Sequence, residues 1–189
     1  MALKLNIIIA STRPGRGGPA VAKWFNEFAR QDGRFDPVLV DLAEINLPIF
    51  DEPNHPRLKK YEHAHTRKWS EIVDSGDAYV FVTPEYDYFA PPPLTNAMIY
   101  LWQEWNYKPA GFVSYGGVSG GLRSVESVKG LMAGLRMVPI PEGVPVHSYQ
   151  QYINDEGVFQ PSESIVTSAT NMLGELTKWA GALKQLRAA

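Results

Sequence analysis

Tyr79-Val80-Phe81-Val82-Thr83-Pro84-Glu85-Tyr86-Asp87, continued by Tyr88-Phe89-Ala90-Pro91-Pro92-Pro93-Leu94-Thr95-Asn96-Ala97-Met98, decides how the chain reads. An unbroken apolar run stops at Thr83-Pro84. Strands covered on both faces of a parallel sheet have this pattern, with no alternation of apolar and polar residues. An aromatic and acidic segment follows, read as a loop rather than a hairpin turn, and three prolines lead into a helix. Ligands of an open parallel sheet gather outside the carboxyl ends of its strands, so the loop after Thr83 is the first place to look for chemistry.

Toward the amino end, residues 3–10 form another short β-branched run. Val21, Trp24, Phe25 and Phe28 then recur at helical spacing and predict a helix over 19–31, with Pro19 in its first turn. Residues 36–42 read as a second strand and 43–53 as irregular. A helix is expected from Pro56 to Ser75, with Gly76 just past its end. The quoted strand covers 77–83. Toward the carboxyl end, a helix is expected from Pro93 to Asn106, a strand over 109–115 and a helix over 121–134. A proline-interrupted strand over 137–146 and a loop over 147–161 come next. A final helix spans 162–187, with Ser162 as its N-cap. Strands alternate with helices throughout, which predicts a single α/β domain over 1–189. It is a doubly wound, five-stranded parallel sheet of order 2-1-3-4-5 with helices on both faces. The loop over 11–18 and the loop over 84–90 then border one crevice, and the loop over 116–121 forms the next rim.

Bulk properties narrow the function. Net charge is −2, which leaves no electrostatic footprint for nucleic acid or an anionic membrane. The chain has no cysteine, so disulfides, thiolate metal sites and cysteine nucleophiles are excluded, and a reducing cytoplasmic setting suits it. No apolar run is long enough to span a bilayer, and the chain enters a strand-like run at once, without a signal-peptide pattern. Hydrolase elbows, paired-carboxylate motifs and H-E-x-x-H are absent. His63 and His65 have the wrong spacing for one helical face and read as solvated; His55 and His147 read as surface residues.

The three loops carry the chemistry. Ser11, Arg13, Arg16, Gly17 and Gly18 precede a helix whose amino end attracts an anion, and arginine pairs with phosphate bidentately. A turn that merely connects strand to helix is the alternative. Gly15-x-Gly17-x-x-Ala20 with Asp41 also outlines a dinucleotide pattern, although Gly15 lies several residues past the strand end. Pro84, Glu85, Tyr86 and Asp87 offer backbone and side chains to the edge of a flat heterocycle. Tyr115, Gly116 and Gly117 let backbone pass close beneath a ring; alone, the glycines also fit a flexible turn.

Taken together, these segments resemble the NADPH-dependent FMN reductase family, flavodoxin-like proteins that include quinone, azo-dye and chromate reductases. The resemblance covers nearly the whole chain. It rests on Ala10-Ser11-Thr12-Arg13 with Arg16-Gly17, on Asp41-Leu42 with Leu47-Pro48-Ile49-Phe50-Asp51, and on Thr83-Pro84-Glu85-Tyr86. Leu94 with Asn96-Ala97, and Ser114-Tyr115-Gly116-Gly117 with Gly120-Gly121, complete it. It implies bound FMN, with phosphate in the first loop and the ring between the second and third. It further implies hydride transfer from NADPH or NADH to the flavin and on to a small-molecule acceptor. Assembly as a homodimer or homotetramer is implied too, which gives Trp102 and Trp105 an alternative to the core.

The chain departs from the usual Pro-Glu-Tyr-Asn pattern. Asp87 stands at the Asn position, Tyr88 and Phe89 at small positions, Pro92 at a glycine and Thr95 at a lysine. Asp87 places negative charge near the ring, and Tyr88, Phe89 and the prolines stiffen and crowd the substrate face. Three other readings remain open from sequence: an FMN-binding electron carrier without a nicotinamide step, a flavin-free interaction protein, and a dinucleotide enzyme of Rossmann type.

Overall fold

Apolar runs without alternation need cover on both faces, and a computed structural model, which describes residues 3–188, shows how they get it. Strands β1 (Leu3–Ile9), β2 (Phe35–Asp41), β3 (Ala78–Pro84), β4 (Pro109–Tyr115) and β5 (Val138–Val146) form one parallel sheet of order β2-β1-β3-β4-β5. Every residue of β3 and β4 is buried. The edge strands β2 and β5 are partly exposed, and there the sheet tolerates Pro37, Pro139, Pro141 and Pro145. A register irregularity lies between β4 and β5 at Ala110 and Phe112. Met1, Ala2 and Ala189, the ends of the expected 1–189 domain, lie outside the described residues.

Side chains of successive strand residues point to opposite faces, so the helices divide into two layers. Ile7, Ile9, Val80 and Val82 meet Val21 and Phe25 of α1 (Gly18–Asp32) and Met172, Leu173 and Leu176 of α6 (Glu163–Ala188). Ile8, Tyr79, Phe81 and Phe112 meet α3 (Ala64–Asp74), α4 (Pro92–Ile99) and α5 (Leu122–Gly134) through Trp69, Val73, Leu94, Met98, Val128 and Met132. A one-turn helix, α2 (Leu42–Ile45), follows β2 within the segment read as irregular.

Two helices are shorter than the sequence predicts. The expected 56–75 helix is a 3-10 turn at Pro56–Leu58, ended by Lys59 at φ 53°, followed by α3. The buried Glu52 carboxylate accepts the backbone N–H groups of Glu62 and His63 at 2.8 and 3.1 Å, so α3 is started from outside the helix. The expected 93–106 helix ends at Ile99. Its terminal carbonyls are taken by indoles: Trp69 Nε1 donates to Ala97 O at 2.8 Å and Trp105 Nε1 to Met98 O at 3.0 Å. Those are the carbonyls that a continuing helix would have used. Trp105 is fully buried, while Trp102 is half-buried, with the Arg57 and Arg136 guanidiniums 4.6 and 5.0 Å from its ring.

Candidate cofactor site

The first loop leaves β1 and closes into α1 through glycines that are there for space. A Cβ on Gly18 would lie 2.4 Å from Ser11 Oγ and 2.7 Å from the Tyr115 hydroxyl; one on Gly17 would lie 2.3 Å from the Tyr149 ring. Tyr115 donates to Ser11 Oγ at 3.1 Å, which ties the first loop to the end of β4. Burial pushes the Tyr115 hydroxyl well above its usual pKa, so it stays a neutral donor. No side chain caps the amino end of α1 and its first turn holds no acidic residue; Pro19 has no N–H and Ala20 N donates to Gly17 O at 3.1 Å, so the N–H groups this end can offer an anion are those of Gly17 and Gly18.

The two arginines of this loop take different places. Arg16 makes two hydrogen bonds of 2.6 Å to the Asp41 carboxylate and also donates to the Ser11 carbonyl. Hydrogen bonding to Asp41 outweighs burial and raises the Arg16 pKa further. Asp41 accepts from Ala43 N as well, at 2.9 Å, so both carboxylate oxygens are engaged. The Rossmann-type reading needed that carboxylate free for a ribose, and the pairing removes its support. Arg13 is exposed, makes no hydrogen bond among the described residues and lines the cavity.

The second loop differs from the sequence expectation. Residues 86–89 form a hairpin turn: Tyr86 and Phe89 exchange both backbone hydrogen bonds at 2.9 Å, and Asp87 and Tyr88 have φ of 47° and 73°. This is the mirror-image turn that matches strand twist and favours Asn-Gly, so a sequence of Asp-Tyr hid it. Tyr86 and Asp87 line the cavity. The Glu85 carboxylate does not serve it: Arg123 Nε donates to one oxygen at 2.6 Å, and Ser119 Oγ to the other at 2.7 Å. Burial opposes ionisation of Glu85, but these bonds outweigh it and hold the carboxyl below its usual range. What Glu85 offers a ligand is backbone.

The third loop is laced to the segment after β5. Tyr149 N donates to Gly116 O at 3.2 Å and Ser148 N to Gly117 O at 2.9 Å. The lacing brings Tyr149 against Gly17 and edge-on to Tyr115, with ring centroids 4.9 Å apart. Tyr149 and Gln150 line the cavity and were missed from sequence, because 147–161 read as a plain loop. The rule that sends ligands to strand carboxyl ends applied equally after β5 and pointed there.

Together the loops enclose about 400 Å³, lined by Arg13, Arg16, Gly17, Pro84, Glu85, Tyr86, Asp87, Tyr115, Gly116, Gly117, Tyr149 and Gln150. Ser11 and Gly18, also expected at the site, are buried behind Tyr115 and do not line the cavity. A second, more apolar cleft of about 830 Å³ lies on the other side of the 86–89 hairpin, with Thr12, Leu47, Ile49, Phe89, Pro93 and Ala97 in its walls. His63 and His65 are not the free surface groups the spacing suggested. Both are half-buried, their rings stack at 5.1 Å, and His65 bonds to Asp51 at 3.0 Å.

The description of the NADPH-dependent FMN reductase family matches residues 3–151. An NAD(P)H-dependent FMN reductase of Schizosaccharomyces pombe is 34% identical over 185 residues, covering 97% of this chain and 90% of the relative. One from Saccharomyces cerevisiae is 29% identical, covering 89% of this chain and all of its own length (100%). Among solved structures, the NAD(P)H:acceptor flavoenzyme FerB of Paracoccus denitrificans superposes with a TM-score of 0.74 at 18% identity, covering 96% of this chain and 98% of that one.

Proposed function

The chain belongs to the NADPH-dependent FMN reductase family, oxidoreductases that use FMN and NAD(P)H, and on that premise we propose where and how this one works. It would oxidise NADPH or NADH and reduce a quinone, an azo dye, free flavin or a similar small acceptor, and the cavity of about 400 Å³ would hold the FMN that supplies the hydride chemistry. The observation that carries the reading is the convergence on one cavity of an uncapped helix amino end, three strand-end loops and Arg13, which has no partner among the described residues. Its size lies in the range of small-molecule sites.

The residues present fit FMN. Ser11, Arg13, Gly17, Gly18 and the amino end of α1 receive the phosphate, and Arg16 holds the loop to Asp41 so that Arg13 faces the cavity. The backbone of Pro84 to Asp87 meets the edge of the ring, and Tyr115, Gly116 and Gly117 flank it. Tyr149 walls the cavity from solvent. Bound FMN supplies the two-electron chemistry; no side chain is needed as acid or base, and the protein orients the ring and excludes water. The whole of 1–189 acts as one FMN-binding domain in the cytoplasm. It assembles as a homodimer or homotetramer, for which Ile49 and Phe89, 89% and 66% exposed, offer an apolar rim.

Reconstitution with FMN, followed by anaerobic addition of NADPH, tests this reading. Visible flavin bands should appear and then bleach on the turnover timescale. Bands that persist indicate an electron carrier, and the absence of any bound flavin removes the cofactor assignment.

A further inference from the structure

The 86–89 hairpin stands between the two hollows of the carboxyl edge. Tyr86 and Asp87 face the smaller cavity; Phe89 and Ala90 face the apolar cleft. Its position therefore shapes both. Yet its turn is built from two side-chain-bearing residues in the left-handed region, Asp87 at φ 47° and Tyr88 at φ 73°. Such turns favour glycine, and an aromatic residue persists there only when its surroundings hold it. Tyr88 and Phe89 are 64% and 66% exposed, so core packing does not supply that hold.

The hold comes from the start of α5. The Arg123 guanidinium lies 3.6 Å from the centroid of the Tyr88 ring, and the same group bonds through Nε to Glu85 Oε1 at 2.6 Å. Its backbone N–H donates to Glu85 Oε2 at 3.2 Å, beside the positive end of the helix. The Glu85 side chain is only 7% exposed while that of Arg123 is 44% exposed, so solvent reaches the pair from the arginine side alone. Two further contacts flank it: Thr83 Oγ1 meets Ser124 Oγ at 3.1 Å, and Ala90 N donates to Ser127 Oγ at 3.0 Å. Among the described residues, Arg123 alone links the residue before the hairpin to the residue at its strained tip.

We propose that Arg123 is the positioning residue of the 86–89 hairpin: gripped by Glu85 and stacked on Tyr88, it keeps the Asp87-Tyr88 turn in a conformation its residues disfavour, and so sets the wall shared by the cofactor cavity and the apolar cleft. Arg123 does not line the cavity, so it acts on a ligand through the hairpin. The proposal rests on the FMN reading for its ligand consequence and on backbone geometry alone for its mechanical one. It has a particular signature. If Arg123 serves to hold a strained turn, then removing the strain removes the need for Arg123. Glycine at position 88 adopts the observed φ freely and, after Asp87, makes a favoured turn sequence.

The test uses Arg123→Ala, Tyr88→Gly and the double variant, with two measurements. In the ligand-free protein, chymotryptic cleavage after Phe89, a site that every variant keeps, is timed by mass spectrometry. With FMN, affinity is titrated by flavin fluorescence. Arg123→Ala should speed the cleavage and weaken FMN by roughly tenfold each, and the double variant should return both to within about threefold of the parent. Unchanged cleavage and affinity in Arg123→Ala overturn the proposal. So does a double variant as impaired as the single one, which would mean that Arg123 acts by its charge rather than through the turn. Should Arg123→Ala not fold, Glu85→Gln gives the same comparison with a smaller effect, and its rescue by Tyr88→Gly decides. A parent that takes up no FMN sinks the cofactor reading, while the cleavage comparison still judges the latch.

Discussion

Arg16 and Asp41, 25 residues apart, meet fork to fork, with two hydrogen bonds of 2.6 Å across the mouth of the first loop. Their side chains are 18% and 13% exposed. The pair closes the loop over the end of β2, and Arg13 is the loop's other cation, without a partner among the described residues. The two arginines should therefore fail in different ways when altered.

Arg13→Ala should leave folding stability within about 0.5 kcal/mol of the parent, as expected for an exposed side chain. It should weaken FMN by roughly 10- to 100-fold, the equivalent of a charge-assisted hydrogen bond, with little effect on riboflavin, which lacks the phosphate. Asp41→Asn should instead lower stability by about 1–3 kcal/mol, because a largely buried guanidinium loses its partner. Urea unfolding and paired FMN and riboflavin titrations separate the two. Arg13→Ala that binds FMN as tightly as the parent would remove the phosphate assignment.

Gly121 is the least replaceable glycine of the third loop. It has φ +82°, and a Cβ there would lie 2.7 Å from Tyr115 N and 2.9 Å from both Tyr115 O and Ser114 Cβ. Two of these neighbours are backbone of a central strand, which cannot swing aside. Gly121→Ala should cost about 3 kcal/mol, or roughly 10 °C in Tm for a chain of this size. Gly117 meets nothing within 4 Å, so Gly117→Ala should cost far less. Equal melting temperatures for the two would contradict this account.

Asp87 brings a carboxylate to the cavity wall at the tip of the hairpin. Negative charge there disfavours the anionic reduced flavin, so Asp87→Asn should raise the two-electron midpoint potential of bound FMN. A shift of about 30 mV corresponds to about 1.4 kcal/mol. Equilibration with a reference dye measures it. A potential that is unchanged or lower would place Asp87 away from the ring.

Lys108 should govern alkaline stability. It is 4% exposed, and its ammonium donates to the Val73 and Asp74 carbonyls at 3.1 and 2.9 Å. Burial pushes its pKa down from 10.5 to about 8. Below about pH 8 both folded and unfolded chains hold the proton, and the burial cost is fully present. Between about 8 and 10 the native state releases the proton while the unfolded state keeps it, so stability should rise with pH. Above 10 the buried Tyr79, whose pKa is raised by burial, opposes the gain. Urea midpoints for the parent and Lys108→Met across this range should converge as pH rises. Parallel curves would show that Lys108 keeps its proton.

The alternation of strands and helices, the sheet order and the meeting of three strand-end loops at one edge were legible in the sequence for a physical reason. Central parallel strands are covered on both faces, so β3 announces itself as an unbroken apolar run, and β1 and β4 as short apolar runs interrupted by Lys4 and Asn6 and by Ser114. Right-handed crossovers then bring the ends of those runs to one edge whatever the loops contain. Ten of the twelve residues lining the cavity belong to those three loops or to the strand ends that open into them.

Tertiary structure alone decided where the charges of those loops went. Nothing near Arg16 in sequence indicates Asp41 as its partner, and Glu85 finds Arg123 38 residues later. Each pairing depends on which strand ends become neighbours, a property of the assembled sheet rather than of local sequence. The hairpin at 86–89 was hidden likewise, because Asp87 and Tyr88 are poor turn formers, held there by a residue of α5. Helix ends followed the same logic: α4 stops at Ile99 because indoles from distant positions take its last carbonyls. Local periodicity sets which segments become strands and helices; long-range hydrogen bonds and ion pairs set where those segments stop and which side chains remain free for a ligand.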